Sequence, residues 1–532
     1  MTGWKAQLSG SQRPLLVGTG VTVAAAAALT VSLWPNGGNS AMTQQPTDPP
    51  AASPSPSRTY PMSTTPRTIP AVREHTPARG PGWRPAGASR VVVNDADLAD
   101  EGRLLAGELK LRYAGTGEAR AGDVQLALTD EKAGAESYTM AVRDGRVRIS
   151  GPADAGVFYG TRTLKQAVRA DGAAPEGVVR DSPAKPQRGF MLDIARKHFT
   201  AGWIEDRIRE LGDLKYNQLG LHFSDDQGFR IESDKHPEVV SEQHLTKAEV
   251  RRILDLAASR HITVVPEIDS PGHLGAVLDA HPELQLRSAS GSAPQGTVDI
   301  SKPAAAVLVD ELLNEYAELF PGRYWHLGAD EYRALMVSNP EATYPQLAAA
   351  AQKKYGANAG VADLATGWLN DRAKLMRGHD RTTRAWNDGF FAGGAVQPAD
   401  DIQVAYWTGK EIGAREPAEY LRAGREVINY NDEFLYYVLG QPNQFVYPTG
   451  QRIYEQWTPL VLRGTTPVSK EYDDQILGGS FAVWCDLANS QTQDQVASGI
   501  RMPVRALGQK LWDPRTPGAS WGEFTELAQK LG

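Results

Sequence analysis

The sequence predicts a (β/α)8 barrel, a TIM barrel, preceded by a small α+β domain. Two observations lead there and a third argues against the competing fold. Over residues 184–532, eight short apolar segments alternate with segments of helical period. Residues 87–183 instead mix strand-like and helix-like segments around a hairpin signal. An open doubly wound sheet is the alternative, and no Gly-x-Gly-x-x-Gly fingerprint follows the first strand to support it.

Residues 1–41 read as a signal peptide or an N-terminal membrane anchor. Lys5 and Arg13 precede an apolar run from Leu15 to Trp34. A positive start before an apolar stretch is an export signal, and a run of about 20 residues is long enough to span a bilayer. No cysteine lies there to take a lipid. The chain is therefore expected to be secreted or held at the cell surface. Residues 42–86 read as a disordered Pro/Ser/Thr-rich linker, because eleven prolines fall between Met42 and Pro85. Such a composition buries too little apolar surface to fold alone.

In the small domain, 87–183, Arg90–Val93 reads as a strand and Ala96–Tyr113 as a helix. Val124–Leu128 alternates as a strand. Tyr138–Val142 and Val147–Ile149 flank Asp144-Gly145, a two-residue hairpin signal. Val157, Phe158, Thr161, Leu164 and Val168 then recur at helical spacing.

In the barrel, 184–532, the expected strands are Phe190–Ile194, Gln218–Phe223, Thr263–Ile268, Tyr324–Leu327, Thr383–Trp386, Val404–Trp407, Glu426–Asn429 and Leu477–Trp484. Expected helices between and after them include Trp203–Leu214, Lys247–Arg260, Pro303–Leu319, Asp363–Arg377 and Thr492–Leu511.

Composition narrows the function. Acids outnumber bases 63 to 56 and the net charge is −7. With no basic stripe, nothing points to nucleic acid. The single cysteine, Cys485, rules out a disulfide framework within the chain.

Catalytic side chains of a barrel sit at the C-terminal ends of its strands. Those ends carry Asp193, then Asp225-Asp226, then Asp269 and His273, then Asp330-Glu331, then Trp386, Trp407, Asn429–Asp432, and Trp484-Cys485-Asp486. Indole rings stack on the C–H faces of pyranoses, and carboxylates pair with hydroxyls, so the list describes a sugar pocket. Glycoside cleavage needs a proton for the leaving oxygen and stabilisation of an oxocarbenium-like transition state. Asp330 and Glu331 are the sharpest pair. Two adjacent carboxylates in a partly dry pocket do not both ionise easily, and the one held protonated suits a general acid. Neighbours on a regular strand face opposite ways, so both reach one pocket only where the strand breaks into its loop.

These motifs together resemble glycoside hydrolase family 20, the β-N-acetylhexosaminidases. The matching stretches are Arg188-Gly-Phe-Met-Leu-Asp193-Ile-Ala-Arg196, His222-Phe-Ser-Asp225-Asp226-Gln-Gly-Phe-Arg230, Pro266-Glu-Ile-Asp269-Ser-Pro-Gly-His273 and His326-Leu-Gly-Ala-Asp330-Glu331-Tyr332. Trp386, Trp407 and Trp484 follow in order, and Gly156–Leu164 is similar to the small domain of that family. The resemblance implies substrate-assisted retaining hydrolysis without metal or cofactor. Asp330 would orient the substrate's 2-acetamido group and Glu331 would serve as acid/base. Asp225, Asp269 and His273 would support Glu331. Arg188 would grip hydroxyls of an unsubstituted terminal sugar, and Trp386, Trp407 and Trp484 would wall the pocket. The implied ligands are oligosaccharides or glycoconjugates bearing terminal β-linked N-acetylglucosamine or N-acetylgalactosamine.

Two stretches depart from the family. Its frequent Trp-x-Glu is here Trp484-Cys485-Asp486, a shorter acid that also looks like the lacto-N-biosidase subgroup, which releases a disaccharide. Its Tyr-Leu-Asn/Asp maps onto Phe434-Leu435-Tyr436, leaving the acetamido-binding hydroxyl to Tyr436, the favoured residue, or Tyr437. Two readings of other classes stand beside the hydrolase. One is a metal-dependent deacetylase using His222, Asp225, Asp226, Asp269 and His273. The other is a non-catalytic glycan-binding surface protein.

Overall fold

A computed structural model describes residues 59–411 and 414–532. The export or anchor segment expected at 1–41, and residues 42–58 of the expected linker, lie outside the described residues. Among the described residues no helix is long and apolar enough to cross a membrane.

The small domain is one mixed sheet carrying two helices. Its strands are β1 (Glu74–Pro77), β2 (Arg90–Val93), β3 (Arg112–Thr116), β4 (Val124–Leu128), β5 (Tyr138–Arg143), β6 (Arg146–Gly151) and β7 (Gly177–Asp181). They lie in the order β1-β7-β5-β6-β4-β2-β3. Helices α1 (Ala99–Leu109) and α2 (Asp154–Asp171) bury Leu105, Val157, Phe158 and Leu164 against Val91, Val93, Leu126, Met140 and Ile149. Between β5 and β6, Asp144 and Gly145 both take positive φ, 51° and 67°, the backbone that a two-residue hairpin requires.

Two expectations are corrected in this region. The linker expected at 42–86 is folded structure from Thr59 onward. A proline-rich segment needs no core of its own when it can lend residues to others. Ile69 enters the core of the barrel and Trp83 that of the small domain. The Ile69 N–H donates to Gln166 Oε1 at 2.7 Å, and β1 pairs with β7 at the sheet edge, where Pro77 is tolerated. The helix expected over Ala96–Tyr113 ends at Leu109. Lys110 follows in the left-handed region, φ 56°, and the chain turns straight into β3.

The barrel consists of eight parallel strands. They are β8 (Gln187–Asp193), β9 (Gln218–Asp225), β11 (Thr263–Ile268), β12 (Tyr324–His326), β13 (Thr382–Trp386), β14 (Gln403–Tyr406), β15 (Val427–Asn429) and β17 (Ile476–Trp484). β8 pairs with both β9 and β17, which closes the ring. A short β10 (Gly228–Phe229) folds back on the end of β9, and β16 (Tyr436–Val438) adds in parallel to the upper end of β17. The outer layer includes α3 (Ala201–Asp213), α4 (Lys247–Ala258), α6 (Pro303–Leu319), α9 (Val361–Gly378), α10 (Pro417–Arg422), α11 (Gly450–Gln456), α12 (Gln493–Trp512) and α13 (Trp521–Leu531). Shorter α5 (Gly275–Ala280), α7 (Pro340–Thr343) and α8 (Pro345–Tyr355) lie in the loops. Thr246 with Glu249 and Thr492 with Gln495 form capping boxes, which fix where α4 and α12 begin.

Side-chain alternation sorts the barrel into two cores. Phe190, Leu192, Val404, Tyr406, Val427, Phe481 and Val483 face the helices. Met191, Trp386, Ala405, Trp407, Ile428, Ala482 and Trp484 face inward, where Tyr430 and Tyr436 join them.

The two domains share buried charge. Arg188 is 1% exposed at the start of β8. It donates to both oxygens of Glu136 at 2.9 and 2.7 Å, and to the Tyr159 hydroxyl at 3.1 Å. Lys215 is fully buried and donates to the Tyr138 hydroxyl and Thr163 at 3.0 and 2.9 Å, with Asp181 at 3.4 Å.

Candidate active site

The C-terminal end of the barrel opens into a cavity of about 620 Å³. Arg196, His273, Asp330, Glu331, Trp407, Tyr436, Trp484 and Asp486 are among the residues that line it.

Asp330 and Glu331 both face this cavity because the backbone after β12 abandons strand geometry. Gly328, Ala329 and Glu331 take φ of 65°, 77° and 46°. Gly328 has to be glycine twice over: its φ is left-handed, and a Cβ there would overlap the Asp269 carboxylate. Two carboxylates hold the bend. Ala329 N–H donates to Asp269 Oδ1 at 2.8 Å, and Glu331 N–H donates to Asp388 Oδ2 at 3.0 Å. A 3-10 turn at Arg333–Leu335 then leads away.

Behind Glu331 runs a chain of alternating carboxylates and imidazoles. Glu267 Oε2 lies 3.1 Å from His222 Nδ1, and His222 Nε2 lies 2.7 Å from Asp225 Oδ2. Asp225 Oδ2 lies 3.4 Å from His273 Nδ1, and His273 Nε2 lies 3.5 Å from Glu331 Oε2 and 3.7 Å from Asp330 Oδ2. Burial works against the charge of His222, but Glu267 and Asp225 on either side outweigh it and push the ring up to about 10. Asp225 is held well below the usual carboxylate range despite its burial, by Arg196 and then His273.

Asp269 and Asp330 behave differently. Burial pushes Asp269 up to about 7. It also pushes Asp330 well above the ordinary range, and the neighbouring Asp269 adds to this. Asp269 Oδ2 and Asp330 Oδ1 are both buried without another hydrogen-bond partner in the protein, and one proton held between them satisfies both. Glu331 moves down, chiefly through its contact with His273. This corrects the sequence expectation that the protonated member of the pair is the general acid. Asp330 is the deeper of the two, its side chain 14% exposed against 30% for Glu331, and desolvation acts on it more strongly. His273 shifts the other way from Glu331: burial works against its charge, but Asp225 and then Asp330 outweigh it and raise the ring well above its usual range.

Other residues differ from expectation. Arg188 is not in the cavity. It lies at the N-terminal end of β8 on the outward side with Phe190 and Leu192, where it binds the small domain. The guanidinium at the site belongs to Arg196, three residues past Asp193. It donates to Asp193 Oδ2 at 3.0 Å, lies 2.8 Å from Asp225 Oδ2 and sits over the Trp484 ring. Trp386 is 1% exposed and does not line the cavity. It lies one layer below, donating its indole N–H to Glu267 at 2.8 Å and meeting Trp484 at 5.8 Å between ring centroids. Trp407, Tyr436 and Trp484 do form the wall. Trp407 and Tyr436 stack with ring centroids 5.7 Å apart and planes 5° apart. Tyr437 points the other way, to Gln491 and Tyr447, which leaves Tyr436 as the cavity hydroxyl.

Asp388 is a site residue that the sequence reading passed over. Besides holding Glu331, its Oδ1 accepts the Trp407 indole N–H at 2.9 Å. Burial, then Asp330, push its carboxyl up to about 8. Its signal was its place two residues beyond Trp386 at a strand end. Lys410 and Asp432 pair at 2.8 Å on the cavity wall, with Phe445 and Val446 on a nearby loop.

Asp225, Asp226 and His273, and separately His222, Glu267 and Asp269, have side-chain donor atoms close enough to share a cation. Here, however, Arg196 already supplies the positive partner of Asp225, and the imidazoles pair with the carboxylates.

The sequence model of glycosyl hydrolase family 20, catalytic domain, matches residues 186–514, and that of the family's domain 2 matches 65–182. The chain belongs to glycosyl hydrolase family 20. It is 31% identical over 517 residues to a lacto-N-biosidase of Bifidobacterium bifidum, covering 95% of this chain and 45% of that protein. It is 26% identical over 429 residues to a β-hexosaminidase of Vibrio furnissii, covering 72% and 66%. Among solved structures, the family 20 β-N-acetylhexosaminidase of Streptomyces coelicolor A3(2) superposes with a TM-score of 0.71 at 25% identity, covering 88% of this chain and 95% of that one. A variant of Streptomyces plicatus β-hexosaminidase in complex with its product, GlcNAc, superposes with a TM-score of 0.70 at 26% identity, covering 89% and 95%. The family 20 match to domain 2 begins at residue 65, inside the region expected as linker.

Proposed function

We propose that the chain is an exo-acting, retaining β-N-acetylhexosaminidase working by substrate assistance. The observation that carries this reading is the left-handed bend that turns Asp330 and Glu331, adjacent in sequence, into one aromatic-walled cavity. The acetamido group lies between Tyr436 and Asp330. Asp330 accepts its N–H, and the acetamido oxygen attacks the anomeric carbon. The bond from that carbon to the leaving oxygen breaks as Glu331 passes on the proton that it drew from His273. As positive charge grows on the oxazolinium ring, Asp330 becomes anionic while Asp269 retains the shared proton. Water then attacks the same carbon, Glu331 takes its proton, the ring opens, and the β configuration is kept. Holding the nucleophile within the substrate replaces a bimolecular encounter, which is where proximity contributes most. Arg196 and Asp486, both on the cavity lining, meet hydroxyls of the bound sugar.

Hydrolysis of aryl β-glycosides with and without the 2-acetamido group tests the mechanism. Turnover of the N-acetylated substrate alone is expected, and equal turnover of both would overturn it. A second reading, release of a disaccharide, is supported by the similarity to a lacto-N-biosidase over 95% of the chain and by Asp486, shorter than glutamate. Aryl N-acetylglucosaminide hydrolysis without action on the aryl disaccharide favours the hexosaminidase, and the reverse favours the biosidase. The sequence of residues 1–41 supports export, with the glycan substrate met outside the cell.

A further inference from the structure

The tripeptide His-Pro-Glu occurs twice, at His236–Glu238 and at His281–Glu283. Both copies open a 3-10 turn, with the histidine at the cap and the proline in first position. The histidine backbones nearly superpose, φ −129° and ψ 59° at His236 against φ −125° and ψ 60° at His281. One copy lies in the loop between β9 and α4, the other just after α5 in the loop between β11 and α6, and the two face each other. His236 Nδ1 and His281 Nε2 each lie 3.0 Å from the same atom, Glu238 Oε1. The opposite ring nitrogens have separate carboxylates: His236 Nε2 lies 3.1 Å from Glu311 Oε2 on α6, and His281 Nδ1 lies 3.4 Å from Glu283 Oε1.

A neutral imidazole has one N–H, so while neutral the His236 ring cannot donate to both Glu238 and Glu311. A cation at the point of convergence removes the conflict. It takes the unprotonated His236 Nδ1 and His281 Nε2 together with a Glu238 oxygen; the His236 ring then donates its remaining N–H to Glu311, and the His281 Nδ1–H faces Glu283 at 3.4 Å. That outer pairing is the usual support of a metal-bound histidine. The spacing fits as well. Tetrahedral ligands about 2.0–2.1 Å from zinc stand about 3.3 Å from one another, against 3.0 Å for the two nitrogen–oxygen pairs here. Two imidazoles and one carboxylate suit a first-row transition ion rather than Ca²⁺ or Mg²⁺, which take oxygen ligands.

We propose that the two His-Pro-Glu turns form a binding site for one divalent transition ion of the zinc type, held by His236, Glu238 and His281 with water completing the shell. None of these residues belongs to the active site. The ion would tie together the loops that follow β9 and β11. The second of these carries His273, eight residues before His281, so the metal steadies the scaffold of the acid/base without entering the reaction.

The test uses the full chain, stripped with a chelator and titrated with Zn²⁺ against a chromophoric competitor, with Ca²⁺ and Mg²⁺ as controls. One equivalent of Zn²⁺ should bind and raise the thermal midpoint, while hydrolysis in chelator at 25 °C stays unchanged. His281→Ala should weaken binding at least about 100-fold, and Glu311→Gln, which removes only an outer carboxylate, about 10- to 100-fold. Both variants should hydrolyse an aryl substrate normally, which certifies their fold. Absence of stoichiometric binding would overturn the proposal. So would binding that survives His236→Ala and His281→Ala together, since that would place the ion elsewhere.

Discussion

The Asp388 carboxyl offers a direct measurement of the electrostatics that hold Glu331 in place. It is 3% exposed and receives two buried donors, the Glu331 N–H and the Trp407 indole N–H. Burial and the nearby Asp330 raise it from 3.8 to about 8. The folded chain therefore keeps a proton that the unfolded chain has released above pH about 4. Stability must fall as pH rises between those two values and level off above pH about 8. At 1.36 kcal/mol per pH unit of full difference, this group alone removes about 3 kcal/mol between pH 6 and pH 9. Asp388→Asn cannot ionise and lacks that fall. Its amide offers one oxygen to two donors, which costs about 1–3 kcal/mol at pH 6. For a folded chain of this size 1 kcal/mol moves the midpoint by about 1 °C. In scanning calorimetry the variant should unfold about 1–3 °C below the parent at pH 6, and level with it or above it at pH 9. Parallel curves at the two pH values would refute a proton held on Asp388.

Glu331→Gln should lower kcat by about 10³ or more in aryl glycoside hydrolysis, as expected for an essential acid/base; near-normal turnover would remove it from that role. Arg196→Met should raise KM for the aryl N-acetylglucosaminide. Arg188→Met should leave KM alone and instead destabilise the chain by about 1.5–3 kcal/mol, because half-buried Glu136 loses a charged two-point partner and keeps only Asn217 and Tyr159; steady-state kinetics and thermal unfolding on the same samples separate the two. A thiazoline mimic of the oxazolinium should inhibit strongly, since it copies the intermediate rather than the substrate; indifference to it would point to a protein nucleophile.

The barrel was legible because its signals are local. Each strand is a short apolar run, and Pro303–Leu319 and Lys247 are helix bounds set by nearby residues. The placement of acids and indoles at strand ends follows from the same reading. What sequence patterns did not convey is direction and neighbourhood. Arg188 and Arg196 bracket one strand, and only the alternation of side chains with the sense of the strand decides which one meets the cavity. Trp386 and Trp407 end consecutive strands, yet one lies a layer deeper. Which of Asp330 and Glu331 holds a proton depends on Asp269 and His273, supplied by another strand end. The segment from Thr59 looked unable to fold because composition counts its prolines and not the partners, Gln166 and Gln509, that wait for its backbone.

The ion pairs across the domain boundary bear on how this protein can be handled. Arg188 and Lys215 belong to the barrel, but the carboxylates Glu136 and Asp181 that neutralise them belong to the small domain. A fragment cut at residue 184 would expose a face bearing stranded cations and the indole of Trp512, which gives its N–H to Asp181. The barrel is thus no freestanding cassette. Chimeras that transplant it should carry everything from Thr59 onward, and grafts of a foreign small domain should succeed only where the incoming surface brings acids to meet those two bases.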